Sequence, residues 1–301
     1  MKTIRQLVPL PIRQKAGPYL GYIVYRFNLL QNTKDTPKVL SLLETLRTIK
    51  NQKLSFIRFG DGEIASIGEH DLLFQKKDPL LSRALAIILQ SNHPKLLICI
   101  PPIWSRLDMF TKEAFWFQIH HLFKYRHLWG KLLLKTKTYG NAFVTRPYLI
   151  YKNKKDAGKV FDALFLLWEK EHVVLIEGEK ARTGVGNNMF NNALSITRIL
   201  CPAENAYSKY EEIKKVALTV PKDRLLVLSL GPTAKVLAYE LFLRGYRVFD
   251  TGHTDMEYEM FLRKEEKLTK VPYKYFSEIN ERNPDDCNDK EYLNQIVAKI
   301  I

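Results

Sequence analysis

From residue 38 onward, runs of consecutive apolar residues alternate with segments whose apolar residues recur every three or four positions. This alternation is the feature that most restricts the fold. Continuous apolar runs such as LSFIRF (54–59) and RLLVLSLG (224–231) indicate strands that are covered on both faces. VLSLLETLRTIK (39–50) instead has the spacing of an amphipathic helix. We therefore predict an α/β chain with a Rossmann-like, mostly parallel sheet and helices on both faces.

The same criteria place the remaining elements and divide the chain. Further strands are predicted at 95–101, 172–179, 195–203 and 246–252, and further helices at 79–90, 113–134, 158–170, 208–220 and 232–243. Gly130 is a candidate break in its helix, and segment 141–151 is ambiguous between strand and loop. The predicted regions are a basic N-terminal extension (1–37), one α/β domain (38–270), and a polar C-terminal tail (271–301) that packs on the domain or extends from it.

Polar segments follow four of the predicted strands, at the point where each strand ends. They are GDGE (60–63), EGEKARTGVGNN (177–188), CPAENAY (201–207) and DTGHTDMEYE (250–259). Parallel strands bring their carboxyl ends to one edge of the sheet, where ligands bind in open α/β folds. We expect the four segments to meet at that edge, and this convergence indicates an enzyme.

The first segment contains two carboxylates, Asp61 and Glu63, separated by Gly62. Hard divalent cations bind carboxylate oxygens and hold the phosphates of a substrate through their remaining positions. The same residues also suit a polar turn where a buried strand reaches the surface. The pattern alone leaves both interpretations open. Arg58 lies just before the pair. It is a candidate to bind the substrate or to form an ion pair with one of the two carboxylates.

The second segment, residues 177–188, combines backbone freedom with positive charge. The glycines that would let the backbone approach a ligand are Gly178, Gly184 and Gly186. Charge for phosphate groups would come from Lys180 and Arg182, and amide contacts from Asn187 and Asn188. The segment matches no strict phosphate-binding motif, so an ordinary surface loop is the alternative.

Residues 228–241, LSLGPTAKVLAYEL, read as a strand, a glycine turn and a helix, and a helix start attracts anions. Asp250 follows Gly231 by about 20 residues, the distance at which dinucleotide-binding folds place their acidic residue. A Rossmann-fold methyltransferase or dehydrogenase is therefore an alternative function. The glycine pattern is incomplete, and a purely structural strand-turn-helix also explains it.

The fourth segment places His253, Asp255, Glu257 and Glu259 within seven residues. If this segment is helical, Asp255 and Glu259 share a face. Such a cluster can supply a general base or a further metal ligand. An acidic helix start that is stabilised by the helix dipole is the alternative.

The net charge of +15 is concentrated in two stretches that lack acidic residues. Residues 1–34 hold six Lys or Arg and no acid, and residues 114–155 interleave basic with aromatic side chains. Such a pattern suits polyanions, so a non-catalytic module that binds an anionic membrane surface is a further alternative. An ordinary solvated basic face also explains it. The sequence carries no nucleic-acid-binding signature, and we predict no nucleic-acid partner.

The remaining composition bears on the cellular compartment. The three cysteines lie far apart without metal-ligand spacing, as expected in a reducing compartment. No apolar run reaches the roughly 18 residues of a membrane-spanning helix, and the N-terminus lacks the apolar core of a secretory signal. We predict a cytoplasmic protein, with peripheral contact at the inner face of the membrane as the extension suggested by its charge.

Five segments, in this order, resemble the bacterial GT-D-type glycosyltransferases, a family whose domain was long catalogued as being of unknown function. They are RFGDGE (58–63), EGEKARTGVGNN (177–188), RILCPAENAYSKYEEI (198–213), LSLGPTAKVLAYEL (228–241) and GYRVFDTGHTDMEYEMF (245–261). The resemblance spans roughly residues 40–265 and is more specific than any one motif.

The resemblance implies transfer of a hexose, typically glucose from UDP-glucose, to a glycan of a surface polysaccharide or glycoprotein, lipid-linked or protein-linked. It implies Mn²⁺, with Mg²⁺ as the alternative, held by Asp61 and Glu63. The base is expected to be Glu259, with His253 and Asp255 as alternatives. Family members often carry Asp at the position of Asn188. The residues expected to bind the nucleotide sugar are Arg58, Gly60, Gly62, Lys180, Arg182, Gly184, Gly186, Asn187, Asn188 and Asn205.

Overall fold

The computed structural model of this chain describes residues 19–23, 25–26, 36–104 and 107–301. Its strands are β1 (Lys38–Val39), β2 (Ser55–Arg58), β3 (Leu96–Ile100), β4 (Thr138–Asn141), β5 (His172–Gly178), β6 (Ser195–Cys201), β7 (Leu225–Ser229), β8 (Arg247–Asp250) and β9 (Ile296–Lys299). They form one sheet in the order β1-β4-β3-β2-β8-β7-β5-β6-β9, and every pairing is parallel. The predicted Rossmann-like sheet is therefore confirmed, and it is wholly parallel over the described residues.

Helices cover both faces of this sheet. Those after residue 36 are α1 (Leu42–Gln52), α2 (Asp61–Ile67), α3 (Pro79–Leu89), α4 (Lys112–Leu132), α5 (Ala157–Phe165), α6 (Tyr210–Ala217), α7 (Gly231–Leu243), α8 (Thr254–Leu262) and α9 (Lys290–Gln295). Short 3₁₀ turns lie at Ala142–Thr145, Ala206–Lys209 and Ser277–Ile279. Residues 19–23 and 25–26 are also helical. None of the helices in the described ranges has the length and apolarity that a bilayer span requires.

The two faces bury separate hydrophobic clusters. Helices α2, α3, α4, α6 and α7 pack on one face, around residues such as Trp129. Helices α1, α5 and α8 pack on the other, around residues such as Phe161. The adjacent β2 residues Phe56 and Ile57 are both fully buried, and they belong to opposite clusters. Burial on both faces explains why the strands have continuous apolar sequences rather than alternating ones.

Several boundaries differ from the sequence expectation. The candidate break at Gly130 is not observed, because helix α4 continues through this residue. A Cβ atom at Gly130 would contact nothing within 4 Å, and its φ does not lie in the left-handed region. The ambiguous segment 141–151 begins at the end of β4 and continues as a 3₁₀ turn. The predicted C-terminal tail contains β9, which pairs with β6 at the edge of the sheet. Most of the predicted N-terminal extension lies outside the described residues.

Candidate active site

The polar segments that follow β2, β8 and β5 lie against one another at the carboxyl edge of the sheet. Strands β2 and β8 are neighbours, and the Arg58 amide donates a hydrogen bond to Asp250 Oδ2 at 2.9 Å. The loop after β5 reaches the segment after β8, where the Gly184 amide donates to Asp255 Oδ1 at 2.8 Å. The fourth segment, after β6, shares the same edge because every strand is parallel.

Asp61 is the one accessible member of the predicted metal pair. It begins α2 at the carboxyl end of β2, and its side chain is exposed to solvent. Within the described part of the chain, the carboxylate has no hydrogen-bond or ion-pair partner on another side chain. Although the side chain is exposed, the protein around it removes part of its hydration, and this desolvation together with the nearby Glu63 carboxylate raises the pKa of Asp61 above its usual value. Asp61 is thus an exposed carboxyl group at the carboxyl edge of the sheet, with oxygens that no other described side chain binds.

Glu63 is held by the protein on both carboxylate oxygens. Its Oε2 accepts a hydrogen bond from the Gly60 amide at 2.8 Å and so caps the start of α2. Its Oε1 lies 3.1 Å from Nζ of Lys235, which also lies 3.2 Å from Oδ2 of Asp250. Burial alone would raise the pKa of Asp250, but Arg58 and Lys235 outweigh it and hold the pKa below its usual value. A buried ionic network therefore supports the helix turn that presents Asp61.

Arg58 belongs to this network rather than pairing with Asp61 or Glu63. Its Nε donates to the Asp250 carbonyl at 2.7 Å, and its Nη1 donates to Thr145 Oγ1 at 2.7 Å. Gly252 has a left-handed φ of +52°, and a Cβ at that position would lie 2.2 Å from Arg58 Nη2. A glycine is therefore required there on two grounds, backbone conformation and close approach.

Asp250 is fully buried and bound to Arg58 and Lys235. In a dinucleotide-binding fold, the corresponding acid must reach a ribose hydroxyl of the ligand. A carboxylate that is enclosed and ion-paired on two sides is not available for that contact. The geometry therefore weighs against the methyltransferase or dehydrogenase alternative.

A second charged group surrounds His253 at the start of α8. His253 Nδ1 lies 3.3 Å from Glu278 Oε1, and Glu278 accepts two hydrogen bonds from Arg146, at 3.1 and 3.0 Å. Burial alone would raise the pKa of Glu278, but Arg146 and His253 hold it far below its usual value. Both Arg146 and Glu278 act electrostatically on Asp61, so this group faces the predicted metal ligand.

The predicted bases Asp255 and Glu259 are enclosed, with exposed fractions of 3% and 6%. Both carboxylates bind Nζ of Lys274, at 2.6 and 3.2 Å. Both also accept hydrogen bonds from the side-chain amide, Nδ2, of Asn187. They share a helical face, as the spacing predicts. His253 is the most accessible of the three candidates, with 34% of its side chain exposed.

The remaining predicted donor residues take different positions. Arg182 is buried, and its guanidinium donates to the carbonyls of Tyr273 and Asp285. Lys180 is half-buried, with its Nζ 3.2 Å from Asn283 Oδ1. Arg182 thus binds the loop to the segment that contains Tyr273 and Asp285, whereas Lys180 is nearer to solvent.

Asn188, Asn205 and Gly186 belong to the same predicted set. Asn188 is exposed and accepts a hydrogen bond from the Tyr258 hydroxyl at 2.7 Å. Asn205 accepts one from the Lys76 amide at 2.8 Å, so it fixes a neighbouring loop. Gly186 is exposed at a φ of +79° with nothing within 4 Å of its Cβ position, which leaves its backbone open to a ligand.

Sequence reasoning missed four charged residues of this region. Lys235 could have been identified from the sequence, because it is one of only two charged residues in the apolar helix segment GPTAKVLAYEL, where a charge is unusual. Arg146 lay in the ambiguous segment, and Lys274 and Glu278 lie in a polar stretch without hydrophobic periodicity. Only tertiary structure brings these four to the same edge.

Comparison with known families decides the assignment. Residues 56–279, about three quarters of the chain, match the family model described as "Glycosyltransferase GT-D fold". The chain belongs to this family. The resemblance stated from the five motifs is thereby confirmed, and the matched residues enclose both the predicted metal pair and the acidic segment of α8.

Streptococcal relatives support the same family. The chain is 36% identical to "Probable glycosyl transferase Gly" of Streptococcus gordonii over 87% of its length and 39% of the relative's length. It is 35% identical to "Glycosyltransferase GlyD" of Streptococcus pneumoniae serotype 4 (strain ATCC BAA-334 / TIGR4) over 91% of its length and 34% of the relative's length. The chain therefore spans little more than a third of these relatives.

Solved structures match over nearly their whole length. One, described as "A New Glycosyltransferase (DUF1792) from Streptococcus sanguinis", has a TM-score of 0.83 at 34% identity and covers 88% of this chain and 100% of its own. Another, described by the words "domain of unknown function 1792 has a distinct glycosyltransferase fold", has a TM-score of 0.85 at 35% identity. It covers 89% of this chain and 97% of its own. The family fold thus extends over most of the described residues.

The residues at the end of β2 fit a hard divalent cation. Asp61 offers an unpartnered carboxylate, and each Glu63 oxygen that accepts one hydrogen bond keeps a second lone pair. Among the described residues, no group of three or more His, Cys, Asp or Glu could enclose an ion. Mg²⁺ and ions of similar chemistry need only one or two carboxylates when substrate phosphates and water complete the shell. The donor set therefore suits an ion that is bound together with a diphosphate.

Proposed function

We propose that this chain is a metal-dependent glycosyltransferase that moves a hexose, glucose in the first instance, from a UDP-sugar to a glycan acceptor. The acceptor would belong to a bacterial surface polysaccharide or glycoprotein and be lipid-linked or protein-linked. Membership of the glycosyltransferase GT-D fold family supports the reaction class. The observation that carries the proposal is the open Asp61 carboxylate at the carboxyl end of β2, the same edge of the sheet at which the glycine-containing loop after β5 exposes its backbone.

Asp61 and Glu63 would hold Mn²⁺, with Mg²⁺ as the alternative ion. When bound, the ion would neutralise the charge that develops on the leaving nucleotide diphosphate. Asp61 would be the leading ligand because no other described side chain binds its oxygens, whereas Glu63 is oriented by Gly60 and Lys235. In the loop after β5, the exposed Gly186 backbone and Lys180 would contact the donor phosphates.

We assign deprotonation of the acceptor hydroxyl to His253 as the first candidate. With the proton on Nδ1 and donated to Glu278, its Nε2 is left as the basic atom. Glu278 in turn is fixed by Arg146, so the imidazole is oriented by a rigid pair. Glu259 and Asp255, the other candidates, are both ion-paired with Lys274 and have little access to a substrate.

A nucleotide-sugar hydrolysis panel tests the reaction class. The chain should release UDP from UDP-glucose in the presence of Mn²⁺, and EDTA should abolish the release because the donor diphosphate loses its cation. UDP-galactose, UDP-N-acetylglucosamine and GDP-mannose serve as donor controls. Release that continues in EDTA would refute metal dependence. Thermal stabilisation by NAD or S-adenosylmethionine, but not by UDP with Mn²⁺, would refute the glycosyltransferase proposal.

A peripheral membrane contact is proposed for the surface formed by residues 19–23, residues 25–26 and the start of α4. Tyr19, Leu20 and Ile23 are 67%, 49% and 52% exposed, and Phe117 of α4 is 51% exposed. The Leu107 amide donates to the Tyr25 hydroxyl at 2.7 Å, which ties this surface to the loop after β3. The surface thus lies toward the carboxyl edge, next to the acid-free stretch 114–155.

Vesicle co-sedimentation tests this contact. Binding to phosphatidylglycerol vesicles should fall with salt, and Leu20→Ser/Ile23→Ser should weaken it about tenfold because inserted apolar area is lost. Leu243→Ser/Leu293→Ser is the matched control, since these leucines are 55% and 46% exposed elsewhere. Equal binding of the two double variants, or equal binding to neutral phosphatidylcholine, would contradict the proposed contact.

A further inference from the structure

Lys274 occupies an unusual position between two acidic side chains. It is 2% exposed, and its Nζ lies 2.6 Å from Asp255 Oδ2 and 3.2 Å from Glu259 Oε1. Glu259 has a second cationic partner, since its Oε2 lies 3.3 Å from Arg263. Among the contacts of the described residues, Asp255 has an ion pair with Lys274 alone. The charge on Lys274 is therefore the counter-charge of Asp255.

Both carboxylates also hold the loop after β5, which we define as the donor loop, residues 182–188. Asp255 Oδ1 accepts hydrogen bonds from the Gly184 amide and from Asn187 Nδ2, both at 2.8 Å. Glu259 Oε1 accepts a further bond from Asn187 Nδ2 at 2.7 Å. Hydrogen bonds to ionised carboxylates are stronger than those between neutral groups. The position of the loop therefore depends on both carboxylates remaining charged.

The C-terminal segment around Lys274 also grips the base of the donor loop. The Tyr275 amide donates to the Lys180 carbonyl at 2.8 Å. Arg182 donates to the carbonyl of Tyr273 and, at 2.7 Å, to that of Asp285. Lys274 thus lies in a segment that is bound to the loop from both sides.

We infer that Lys274 is a positioning residue that fixes the donor loop through Asp255 and Glu259. Two carboxylates enclosed together repel each other, and without a cation one of them takes up a proton or moves away. Either outcome removes a strong acceptor from Gly184 or Asn187. The inference rests on the proposed donor-binding role of the loop, and it assigns the acidic residues of α8 to loop position rather than to proton transfer.

The test is Lys274→Met in the full chain. We expect the KM for UDP-glucose to rise about tenfold, with kcat changed by less than about twofold, because bound geometry is restored once the donor is in place. The affinity for Mn²⁺ alone should stay at the wild-type value. Hydrogen exchange should accelerate at residues 183–188 and stay unchanged in the central strands. Lys270→Met is the matched control, since this exposed lysine pairs with Glu281 in the same segment at 2.9 Å.

A second variant keeps the test valid if Lys274→Met fails to fold. Asn187→Leu removes the loop amide and leaves both ion pairs of Lys274 intact, so it should accelerate exchange in the loop and raise the donor KM. In a folded Lys274→Met background, the added effect of Asn187→Leu on KM should be less than half of its effect alone. Additive effects, or a fall in kcat at constant KM, would overturn the inference.

Failure of this inference is distinguishable from failure of the proposed function. We call the contacts of Lys274, Asp255 and Glu259 that fix the donor loop the clamp. Hydrogen exchange in the donor loop reports on this clamp without any donor present. If wild type releases no UDP from UDP-glucose, the proposed function fails, whereas accelerated loop exchange in Lys274→Met still supports the clamp. If wild type is active and Lys274→Met has normal loop exchange and normal KM, the clamp alone is overturned.

Discussion

Asp61→Asn is expected to lower the turnover of UDP-glucose by about 10³-fold, which corresponds to roughly 4 kcal/mol of lost transition-state stabilisation. The reason is that Asp61 alone offers an unpartnered carboxylate at the end of β2. An amide retains one neutral oxygen and loses the charge that attracts the cation. The affinity for Mn²⁺, measured by titration calorimetry with UDP present, should fall in parallel.

The fold should survive this change. Asn at the first position of α2 loses a favourable interaction of about 0.5 kcal/mol with the helix dipole. It also removes the repulsion between Asp61 and Glu63, which offsets that loss. Asp223→Asn is the matched control, since this aspartate is 70% exposed and precedes β7 at the opposite edge of the sheet. Unchanged Mn²⁺ affinity in Asp61→Asn would remove the basis of the metal site.

Glu63→Gln separates the two members of the pair. The amide oxygen can still accept from the Gly60 amide, but the ion pair with Lys235 is lost. We therefore expect a smaller fall in turnover than in Asp61→Asn, accompanied by a lower free energy of unfolding. The reverse order of effects on Mn²⁺ affinity would make Glu63 the leading ligand.

Hydrophobic pattern was sufficient to predict most of the sheet. Strands β2, β3, β5, β7 and β8 are buried on nearly all their residues, so their sequences are continuous apolar runs. Strands β1, β4 and β9 are not predicted. Strand β1 has only two residues, β4 has the short sequence TYGN, and β9 lies at an edge, where alternate residues are exposed. Helix α2 is not predicted, because its start, Asp61-Gly62-Glu63, has a composition that suits a polar turn as well as a metal site.

The residues of the candidate site also fall into those that the sequence predicts and those that it misses. Residues next to strand ends, such as Asp61 and His253, were predicted because parallel strands share one edge. Lys274 and Glu278 were missed because they reach that edge through a long irregular segment, whose path depends on contacts such as Arg182 with the Tyr273 carbonyl. Arg182 itself was predicted to bind phosphate, and its side chain is instead enclosed by that segment.

Arg198→Met is expected to lower the free energy of unfolding by about 3–5 kcal/mol. Arg198 of β6 is 2% exposed, and its Nη1 lies 2.5 Å from Oε1 of the fully buried Glu177 on β5. Removing the guanidinium leaves a carboxylate enclosed without a counter-charge, and it also removes the stacking on Tyr292, whose ring centroid lies 5.1 Å away. Urea denaturation measures the loss.

Arg244→Met provides the matched control, because Arg244 is 44% exposed and pairs with Glu240 on the surface of α7. Its effect should stay within about 0.5 kcal/mol. Adding Glu177→Gln to Arg198→Met should recover part of the stability, since the buried charge is then gone. A loss in Arg198→Met no larger than that of the control would contradict the role of this pair.

The same variant connects stability to the donor loop. Glu177 Oε2 accepts a hydrogen bond from the Thr183 amide at 2.8 Å, and Arg198 Nε donates to Gln295 at 2.7 Å. One buried ion pair therefore joins the start of the loop to α9 and, through it, to β9. In Arg198→Met, hydrogen exchange should accelerate at both 183–188 and 290–299, whereas in Lys274→Met it should accelerate at the loop alone.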